Sequence, residues 1–493
     1  MSEKDPYSDK CLLKRNINDL LADNNEIRIG LFLANEYRDK LSEIETETYP
    51  QTCLQVSNRI KKGIESNKYS INNKTRYNAM LNVARSGLND FYRKYFDIRT
   101  EKLTDNVELL ILASELHFYC ALATFKNHRP FDALDHIQYS IRHTSNVREY
   151  LRTKTDSVME SKIRVMDYMS RYTLMESAIL TEIVGYVNKE FKKKIAYYIY
   201  NSQIVVSNYY SDEGMITESE EIANKAEAFR SNMLITELDL KDRDYHNILF
   251  SDKNPDINVY EEWCWGYYFC LNPMNDIPVL DDPDYKDTFR IETDEVNRIR
   301  LNDVLRTFDH SRRIMFWFYH LPKKERYDCK GEPIQRLLDC YFRLYSTLDK
   351  IAKLLYDLIV RGNYRIKPKD RYFANVAEYL EKSTNDYIKG ISEISQDINY
   401  SNEDYEKGFV DPFYNLHRIP KRPRTIRNEI DHKALMLVNP EDDYEIKEGV
   451  LTISARDLEV ETNKLMRQIR ELLLNMELAS RSGGLTNDIG DDE

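Results

Sequence analysis

The sequence predicts an all-α fold in two parts, in which stacked helical pairs precede a helical bundle. Three observations lead to this prediction. The 493-residue chain contains only 14 Gly and 14 Pro, and 31% of its residues are charged. Few turn-forming residues and many charges favour helices over turn-rich β structure. Apolar residues also recur at steps of three and four along most of the chain, which is the period of a helix with one buried face.

An amphipathic helical pair is the clearest repeat in the N-terminal part. Helical apolar spacing runs over residues 107–125, residues 128–130 interrupt it, and a second helix begins near Phe131. Ala121 and Ala133 stand where tetratricopeptide repeats place small residues, so that the two helices can approach closely. Stacked pairs of this kind present a concave surface for a protein or peptide partner. A plain helical bundle that only supports the C-terminal part is the alternative.

Further helices are predicted towards the C-terminus. A second pair is expected around residues 197–230, followed by a hinge rich in Asn, Asp and Pro. Apolar stripes then predict long helices over about residues 301–320, 341–359 and 458–476, and a shorter helix within about residues 373–398. With one more helix they would form a four-helix core.

The most chemically suggestive spacing in the chain is Arg427-Asn428-x-x-x-His432. It stands at the start of an apolar-periodic segment, which predicts the fourth helix of the core. Asn428 and His432 would then lie one turn apart on one helical face. The apolar positions that predict this helix are Ile426, Ile430, Ala434 and Leu437.

These three residue types suit cleavage of RNA without a metal ion. A neutral imidazole at His432 can take the proton from a ribose 2′-hydroxyl, because its pKa lies near physiological pH. The guanidinium of Arg427 can bind the phosphate and stabilise the negative charge that builds at the transition state. Asn428 can orient the hydroxyl or a non-bridging oxygen. The expected products are a 2′,3′-cyclic phosphate and a 5′-hydroxyl.

A basic segment precedes this motif and predicts an RNA-binding surface. Its prolines keep the segment out of a helix until about Thr425. Cations beside the first turn of a helix favour phosphate. A charged loop that pairs with acidic neighbours is the alternative, since the chain has a net charge of -12. The predicted RNA-binding residues are Arg418, Lys421, Arg422, Arg424 and Lys433.

The motif resembles the signature of the HEPN superfamily, the "higher eukaryote and prokaryote nucleotide-binding" domains, in which Arg, a polar residue, three further residues and His follow one another. Residues 265–276 (WGYYFCLNPMND) resemble the segment that opens the domain in one branch, where tetratricopeptide-like repeats come first. Residues 348–352 (LDKIA) resemble the helix that packs beside the catalytic one. The resemblance covers about residues 246–480.

The resemblance implies a four-helix HEPN domain and a metal-independent endoribonuclease. It implies that Arg427 and His432 are the catalytic pair and Asn428 their helper, and that Asp349 could orient the imidazole. It also implies a homodimer in which two Arg–His pairs meet across a two-fold axis. Members of such groups serve in toxin, stress or antiviral defence systems, so regulated cleavage is expected.

From these observations we predict a helical repeat domain at residues 1–245, an irregular connecting segment at 246–300, a HEPN domain at 301–480 and a disordered acidic tail at 481–493. Seven Cys without a Cys-x-x-Cys pair favour a reducing compartment, and neither a signal peptide nor a membrane span is predicted. We expect a cytoplasmic protein.

Other chemistries lack their sequence signals. No phosphate-binding glycine motif, nucleophile elbow or two-metal carboxylate cluster is present, so no cofactor or metal is predicted. Four histidines at positions 117, 128, 136 and 143 are expected in packing and surface roles rather than as metal ligands. The expected partner is RNA, with tRNA among the candidates. The alternative function is a non-catalytic scaffold whose HEPN bundle dimerises or binds nucleotide.

Overall fold

The computed structural model describes residues 49–65, 73–97, 102–153, 159–184, 189–232, 260, 263–264, 271, 291, 293–328, 331–361, 367, 373–399, 434–438 and 450–483. These residues are almost entirely helical, which confirms the all-α prediction. Contacts divide the chain into two compact units. The first comprises residues 1–176 and 400–421, and the second comprises residues 177–399 and 422–493.

The first unit is built from long helices, the first four of which pack as consecutive neighbours. They are α1 (Tyr49–Glu65), α2 (Asn73–Tyr95), α3 (Val107–Lys126), α4 (Pro130–Arg152) and the first two thirds of α5 (Met159–Val184). Two short antiparallel strands, β1 (Phe96–Asp97) and β2 (Lys102–Leu103), connect α2 to α3. The helix α3 packs against α1, α2 and α4, so it is the central helix of the unit.

The α3–α4 pair forms where the sequence predicts it. The side chain of Asn106 accepts a hydrogen bond from the backbone N–H of Leu109 and caps α3. The turn places His128 at a φ of 60°, and Pro130 then starts α4. Ala121 and Ala133 are both fully buried, as the predicted close approach of the helices requires. Assignment of this pair to the tetratricopeptide class stays a prediction.

Helix α3 is unusually apolar for its length. Among the described helices it is the one that meets the length and composition of a membrane span, although the sequence analysis predicted none. Its apolar stretch is 72% buried inside the protein, between neighbouring helices of the first unit. A core helix that is covered on several sides has the same composition.

The second unit contains a helical pair and a helical bundle. The pair is α6 (Lys189–Asp212) with α7 (Ile216–Asn232), close to the pair predicted around residues 197–230. The bundle elements are α8 (Glu295–His320), α9 (Lys323–Arg326), α10 (Glu332–Leu355) with a π-helical turn at Tyr356–Val360, α11 (Phe373–Leu380), α12 (Asp386–Asn399) and α13 (Ala455–Arg481).

The bundle core forms around α10 and α13. Helix α10 packs against α8, α11 and α13, and α12 packs against α13. The single helix predicted within residues 373–398 is two helices, because the chain turns between them and Asn385 caps the second. Its side-chain oxygen accepts hydrogen bonds from the N–H groups of Tyr387 and Ile388 at 3.0 and 3.2 Å.

The helix predicted to run through Ala434 and Leu437 is wrong over that range. Residues Ala434–Val438 form strand β3, which pairs in parallel with β4 (Val450–Ser454). Five consecutive apolar residues fit a buried strand as well as a helix, and the apolar period alone does not separate the two. Residues 426–433 lie outside the described residues. Among the described elements, α11 and α12 complete the bundle beside α8, α10 and α13.

Candidate functional site

Most of the predicted site residues fall on parts of the chain that the structure does not describe. This applies to the predicted catalytic residues Arg427, Asn428 and His432. It applies equally to the predicted RNA-binding residues Arg418, Lys421, Arg422, Arg424 and Lys433. Asp349 is the predicted site residue that is described, and the roles of all nine stay predictions.

Asp349 lies on α10 and is half-buried. The next residue, Lys350, pairs with Asp303 of α8 at 2.7 Å and donates a hydrogen bond to Thr307 at 3.2 Å. Since α10 packs against both α8 and α13, Asp349 belongs to the helix on which the bundle is organised.

A buried polar cluster joins the end of α8 to the first turns of α13. We call it the Glu459 cluster, and its members are Tyr319, Tyr327, Arg456, Glu459 and Asn463. The Tyr319 hydroxyl lies 2.5 Å from Oε1 of Glu459, and the Tyr327 hydroxyl lies 2.6 Å from Oε2. Nη1 of Arg456 lies 2.8 Å from Oε2 of Glu459. Glu459 is 1% exposed.

The hydrogen bonds of this cluster lead to the Glu459 carboxylate, either directly or through the hydroxyl of a tyrosine. An ionised carboxylate only accepts hydrogen bonds, so both phenols must donate to it. Arg456 donates to the oxygen of Tyr327 at 2.8 Å, and the Asn463 amide donates to that of Tyr319 at 2.5 Å. Each tyrosine hydroxyl therefore accepts one hydrogen bond and donates one to Glu459. The buried Glu459 carboxylate is therefore hydrogen-bonded at both oxygens rather than isolated.

Two groups of the cluster are locked in single protonation states near neutral pH. Burial of Tyr327 and the neighbouring Glu459 charge raise the pKa of its phenol, so it keeps its proton. Burial opposes the charge on Arg456, but Glu459 and Tyr327 outweigh it and raise the pKa of the guanidinium. The Arg456 guanidinium therefore keeps its charge at physiological pH beside the Glu459 carboxylate.

Aromatic rings and a second arginine surround the cluster. Nη2 of Arg326 donates to the backbone oxygen of Tyr319 at 3.0 Å, and its guanidinium lies 5.3 Å from that ring. The Trp263 ring lies 5.9 Å from the ring of Tyr319. Oδ1 of Asn463 and Nε of Arg456 are buried without a hydrogen-bond partner in the described part of the chain. These two atoms are the open polar positions of the cluster.

The Glu459 cluster was not predicted from the sequence, although part of its pattern is visible there. Arg456, Glu459 and Asn463 are spaced at three and four residues, so they share one face of α13. The apolar stripe of α13 predicts that the helix packs in the bundle, but it does not predict the partners of this polar face. Tyr319 is 144 positions before Asn463, and sequence spacing cannot predict a contact at that separation.

The side chains of the described residues do not assemble a metal centre. Within the ranges given above, no group of three or more His, Cys, Asp or Glu side chains could hold a metal ion. The chemistry that the Glu459 cluster itself offers is hydrogen bonding and a fixed ion pair.

Comparisons with known proteins identify the C-terminal part of the chain. The family model described as LA2681-like HEPN matches residues 317–482, about a third of the 493 residues. No curated protein and no solved structure was found to match. The match confirms the HEPN resemblance for this part of the chain, and the family is nuclease-like or RNA-related. The matched range includes Asp349, the Arg427–His432 motif and the whole Glu459 cluster.

Proposed function

We propose that the HEPN domain at residues 317–482 is a metal-independent endoribonuclease. The observation that carries this proposal is the family match, because it spans the Arg427–His432 motif and the family is generally associated with ribonuclease activity. The motif supplies a base, a cation and an amide in six residues, which is the set that attack by a ribose 2′-hydroxyl needs.

In the proposed reaction His432 removes the proton of the 2′-hydroxyl, and the resulting oxygen attacks the adjacent phosphorus. Arg427 binds the non-bridging oxygens and stabilises the charge that develops on them. Asn428 positions the reacting group. The bond to the 5′-oxygen breaks and that oxygen takes up a proton from water, which leaves a 2′,3′-cyclic phosphate and a 5′-hydroxyl. Asp349 is proposed to orient the imidazole.

The surroundings of the site extend the proposal. The basic residues 418–424 and Lys433 would bind the RNA backbone through phosphate contacts, with tRNA among the candidate substrates. We propose that two copies of the domain form a homodimer and that the N-terminal helical pairs bind a protein or peptide that regulates cleavage. Such control suits a cytoplasmic protein of a toxin, stress or antiviral defence system.

Cleavage assays in EDTA test the proposal directly. Purified full-length protein and the variants Arg427→Ala and His432→Ala are incubated with total RNA and with tRNA, and the ends of the products are analysed. We expect cleavage that leaves cyclic phosphates and is reduced at least about a hundredfold in both variants, since each removes a group that acts in the transition state. Products with 3′-hydroxyl ends would contradict the mechanism.

Two matched controls use exposed residues of α8. Arg298→Ala and His310→Ala remove the same two residue types from exposed positions, and both should cleave at the wild-type rate. If the wild type does not cleave and instead forms a dimer that binds nucleotide, the scaffold alternative replaces the proposal. Sedimentation equilibrium with and without nucleotide measures that outcome.

A further inference from the structure

Three histidines and a tyrosine form a hydrogen-bonded network inside the first unit. We call it the histidine network. Nε2 of His143 lies 3.0 Å from the Tyr92 hydroxyl, which lies 2.9 Å from Nε2 of His117. Nδ1 of His117 lies 3.0 Å from Nδ1 of His136. Tyr92 belongs to α2, His117 to α3, and the other two to α4, so the network joins three helices. The three imidazoles are 0%, 1% and 5% exposed for His117, His136 and His143.

An ionised carboxylate stands at one end of the network. Nε2 of His136 lies 3.8 Å from Oδ1 of Asp132, which is too long for a direct hydrogen bond but close enough for strong electrostatic attraction. The other oxygen of Asp132 pairs with Arg85 at 3.2 Å and with Arg129 at 2.9 Å. These two arginines keep Asp132 in its charged form.

The carboxylate sets the direction of every hydrogen bond in the network. A neutral imidazole has one N–H donor and one bare nitrogen acceptor. Asp132 favours the N–H of His136 on Nε2, so Nδ1 of His136 must accept. His117 then donates from Nδ1 and accepts the Tyr92 proton at Nε2. The Tyr92 oxygen in turn accepts from Nε2 of His143. The bare Nδ1 of His143 is the last atom in this series of hydrogen bonds. It is buried with no hydrogen-bond partner among the described residues.

Hydrogen bonds in the opposite direction would be unfavourable at both ends of the network. That direction would point the bare Nε2 of His136 at the Asp132 carboxylate, and it would bury an N–H on His143 without an acceptor, which is costlier than burying a bare nitrogen. All four side chains therefore have one preferred arrangement, and that arrangement requires each imidazole to be uncharged.

A proton added to the network meets unfavourable surroundings. Burial lowers the pKa of His117 well below 6.5, and His136 and His143 lower it further. Burial lowers the pKa of His143 to about 4, with a further contribution from Arg142. The ring of Tyr139 stacks on His117 at 5.2 Å and offers no counter-charge. On α2, Arg85 pairs with Asp132 and Lys94 pairs with Asp90, and on α4 the buried Asp135 directly precedes His136.

We infer that the histidine network is an acid-sensitive lock, which holds α2, α3 and α4 together while its imidazoles are uncharged and releases them when His117 or His143 is protonated. The cation of a protonated His117 would be buried beside two other imidazoles, and a protonated His143 would face Arg142. Among the described residues, these neighbours oppose both charges, whereas Asp132 lies beside His136. Opening would expose the apolar surface of α3.

The sign of the effect follows from proton linkage. The folded unit binds fewer protons at His117 and His143 than the unfolded chain, because the pKa values of these two histidines lie below 6.5 in the folded state. Its stability is therefore greatest above pH 6.5 and falls as the pH drops from 6.5 towards 4. Each titrating histidine changes the opening equilibrium by about tenfold per pH unit in this window.

Hydrogen exchange of the full-length protein, followed by mass spectrometry between pH 7.5 and 4.5, tests the lock. Exchange times are adjusted for the known pH dependence of the intrinsic rate. Peptides from residues 107–152 report on α3 and α4, and peptides from residues 332–355 report on α10 in the second unit. We expect the first set to lose protection by at least about tenfold per pH unit below pH 6, and the second set to change much less. Equal loss in both sets, or no loss in the first, overturns the inference.

Two variants and a control sharpen the result. His143→Phe keeps a ring of similar size but removes one titrating group. For each pH unit, the variant should therefore lose about tenfold less protection than the wild type loses. Tyr92→Phe removes a hydroxyl but no titrating imidazole, so protection should fall at all pH values with the wild-type slope. His310→Gln replaces an exposed histidine of α8 and should leave the slope unchanged. If His143→Phe does not fold, the wild-type slopes of the two peptide sets still decide the question.

Discussion

The two units of this protein each bury a polar cluster, but the clusters are built on opposite principles. The histidine network of the first unit consists of uncharged groups and ends at a bare nitrogen of His143 without a partner in the described part of the chain. The Glu459 cluster of the second unit has an ion pair at its centre, and two phenols and a guanidinium donate hydrogen bonds to its one carboxylate.

The difference lies in which pH range each cluster tolerates. The phenol of Tyr327 and the guanidinium of Arg456 both have raised pKa values and do not titrate near neutrality. His117 and His143 of the first unit have lowered pKa values and become charged only in acid. The histidine network is therefore the cluster that we expect to respond to a fall in pH from neutrality.

The largest expected effect comes from breaking the ion pair of the second unit. Glu459→Gln leaves the buried Arg456 cation without its counter-charge, so we expect a loss of about 3–5 kcal/mol in the free energy of unfolding of that unit. All three tryptophans, at positions 263, 265 and 317, belong to the second unit. Tryptophan fluorescence during urea unfolding therefore measures the change.

The control for this variant is an exposed ion pair on the same bundle. Glu332 pairs with Arg336 on α10, and their side chains are 67% and 50% exposed. Glu332→Gln should cost less than about 1 kcal/mol, since solvent screens such pairs. Equal losses for the two variants would show that the Glu459 cluster contributes no more than a surface contact.

The second effect separates the units by pH. A fall in the pKa of His143 from 6.5 to about 4 on folding corresponds to about 3 kcal/mol of stability that is present above pH 6.5 and lost on the way to pH 4. Circular dichroism follows both units during urea unfolding, whereas tryptophan fluorescence follows the second. Between pH 7 and pH 5 the circular dichroism transition should broaden towards lower urea while the fluorescence midpoint moves little. A parallel shift of both signals would remove the contrast between the units.

A third, smaller effect tests the packing of the first unit away from its histidines. A Cβ added at Gly87 would lie 2.7 Å from Cβ of Cys53 and 3.2 Å from the methyl groups of Leu116. Gly87→Ala should therefore destabilise the unit by about 1–3 kcal/mol through crowding, against the helix preference of alanine. Ser86→Ala, at the half-buried neighbouring position, is the control and should change stability little. Thermal unfolding followed by circular dichroism measures both variants. Stabilisation by Gly87→Ala would show that α1 and α3 move away from α2 easily.

The smallest effect compares helix caps in the two units. Asn106 caps α3 with a hydrogen bond of 3.2 Å, and Asp294 caps α8 with one of 2.8 Å to the N–H of Asn297. Alanine at either position should cost about 1 kcal/mol, and slightly more at Asp294 because its charge also interacts with the helix dipole. Asp105→Ala, at the exposed residue before the first cap, should stay within about 0.5 kcal/mol. Urea unfolding measures all three, and a larger loss at Asp105 would contradict the assignment of the cap.

The prediction of the helices from the sequence succeeded where the signal is local and long. The apolar period of residues 107–125 is repeated over several turns, and α3 forms there with Asn106 at its start. The five residues Ala434–Val438 are too short for the period to decide, and pairing with Val450–Ser454 made them a strand. The pairing partner lies outside the segment, so the segment alone could not predict it.

The buried clusters were beyond prediction for a related reason. From the sequence, His117, His136 and His143 were expected in packing and surface roles rather than as metal ligands. In the structure all three are buried, and Tyr92, 51 positions before His143, connects two of them. The catalytic roles of Arg427, Asn428 and His432 stay predictions, and the family match supports the domain around them.

The sequence by itself determined the helical fold class, most helix positions and the HEPN character of the C-terminal part. These depend on composition, on apolar spacing within a few turns and on short motifs, all of which are properties of neighbouring residues. The tertiary structure alone decided the β3–β4 pair, the histidine network and the Glu459 cluster. Each of these joins separate helices or strands, and its energy depends on burial and on hydrogen-bond direction, which exist only once the elements have packed.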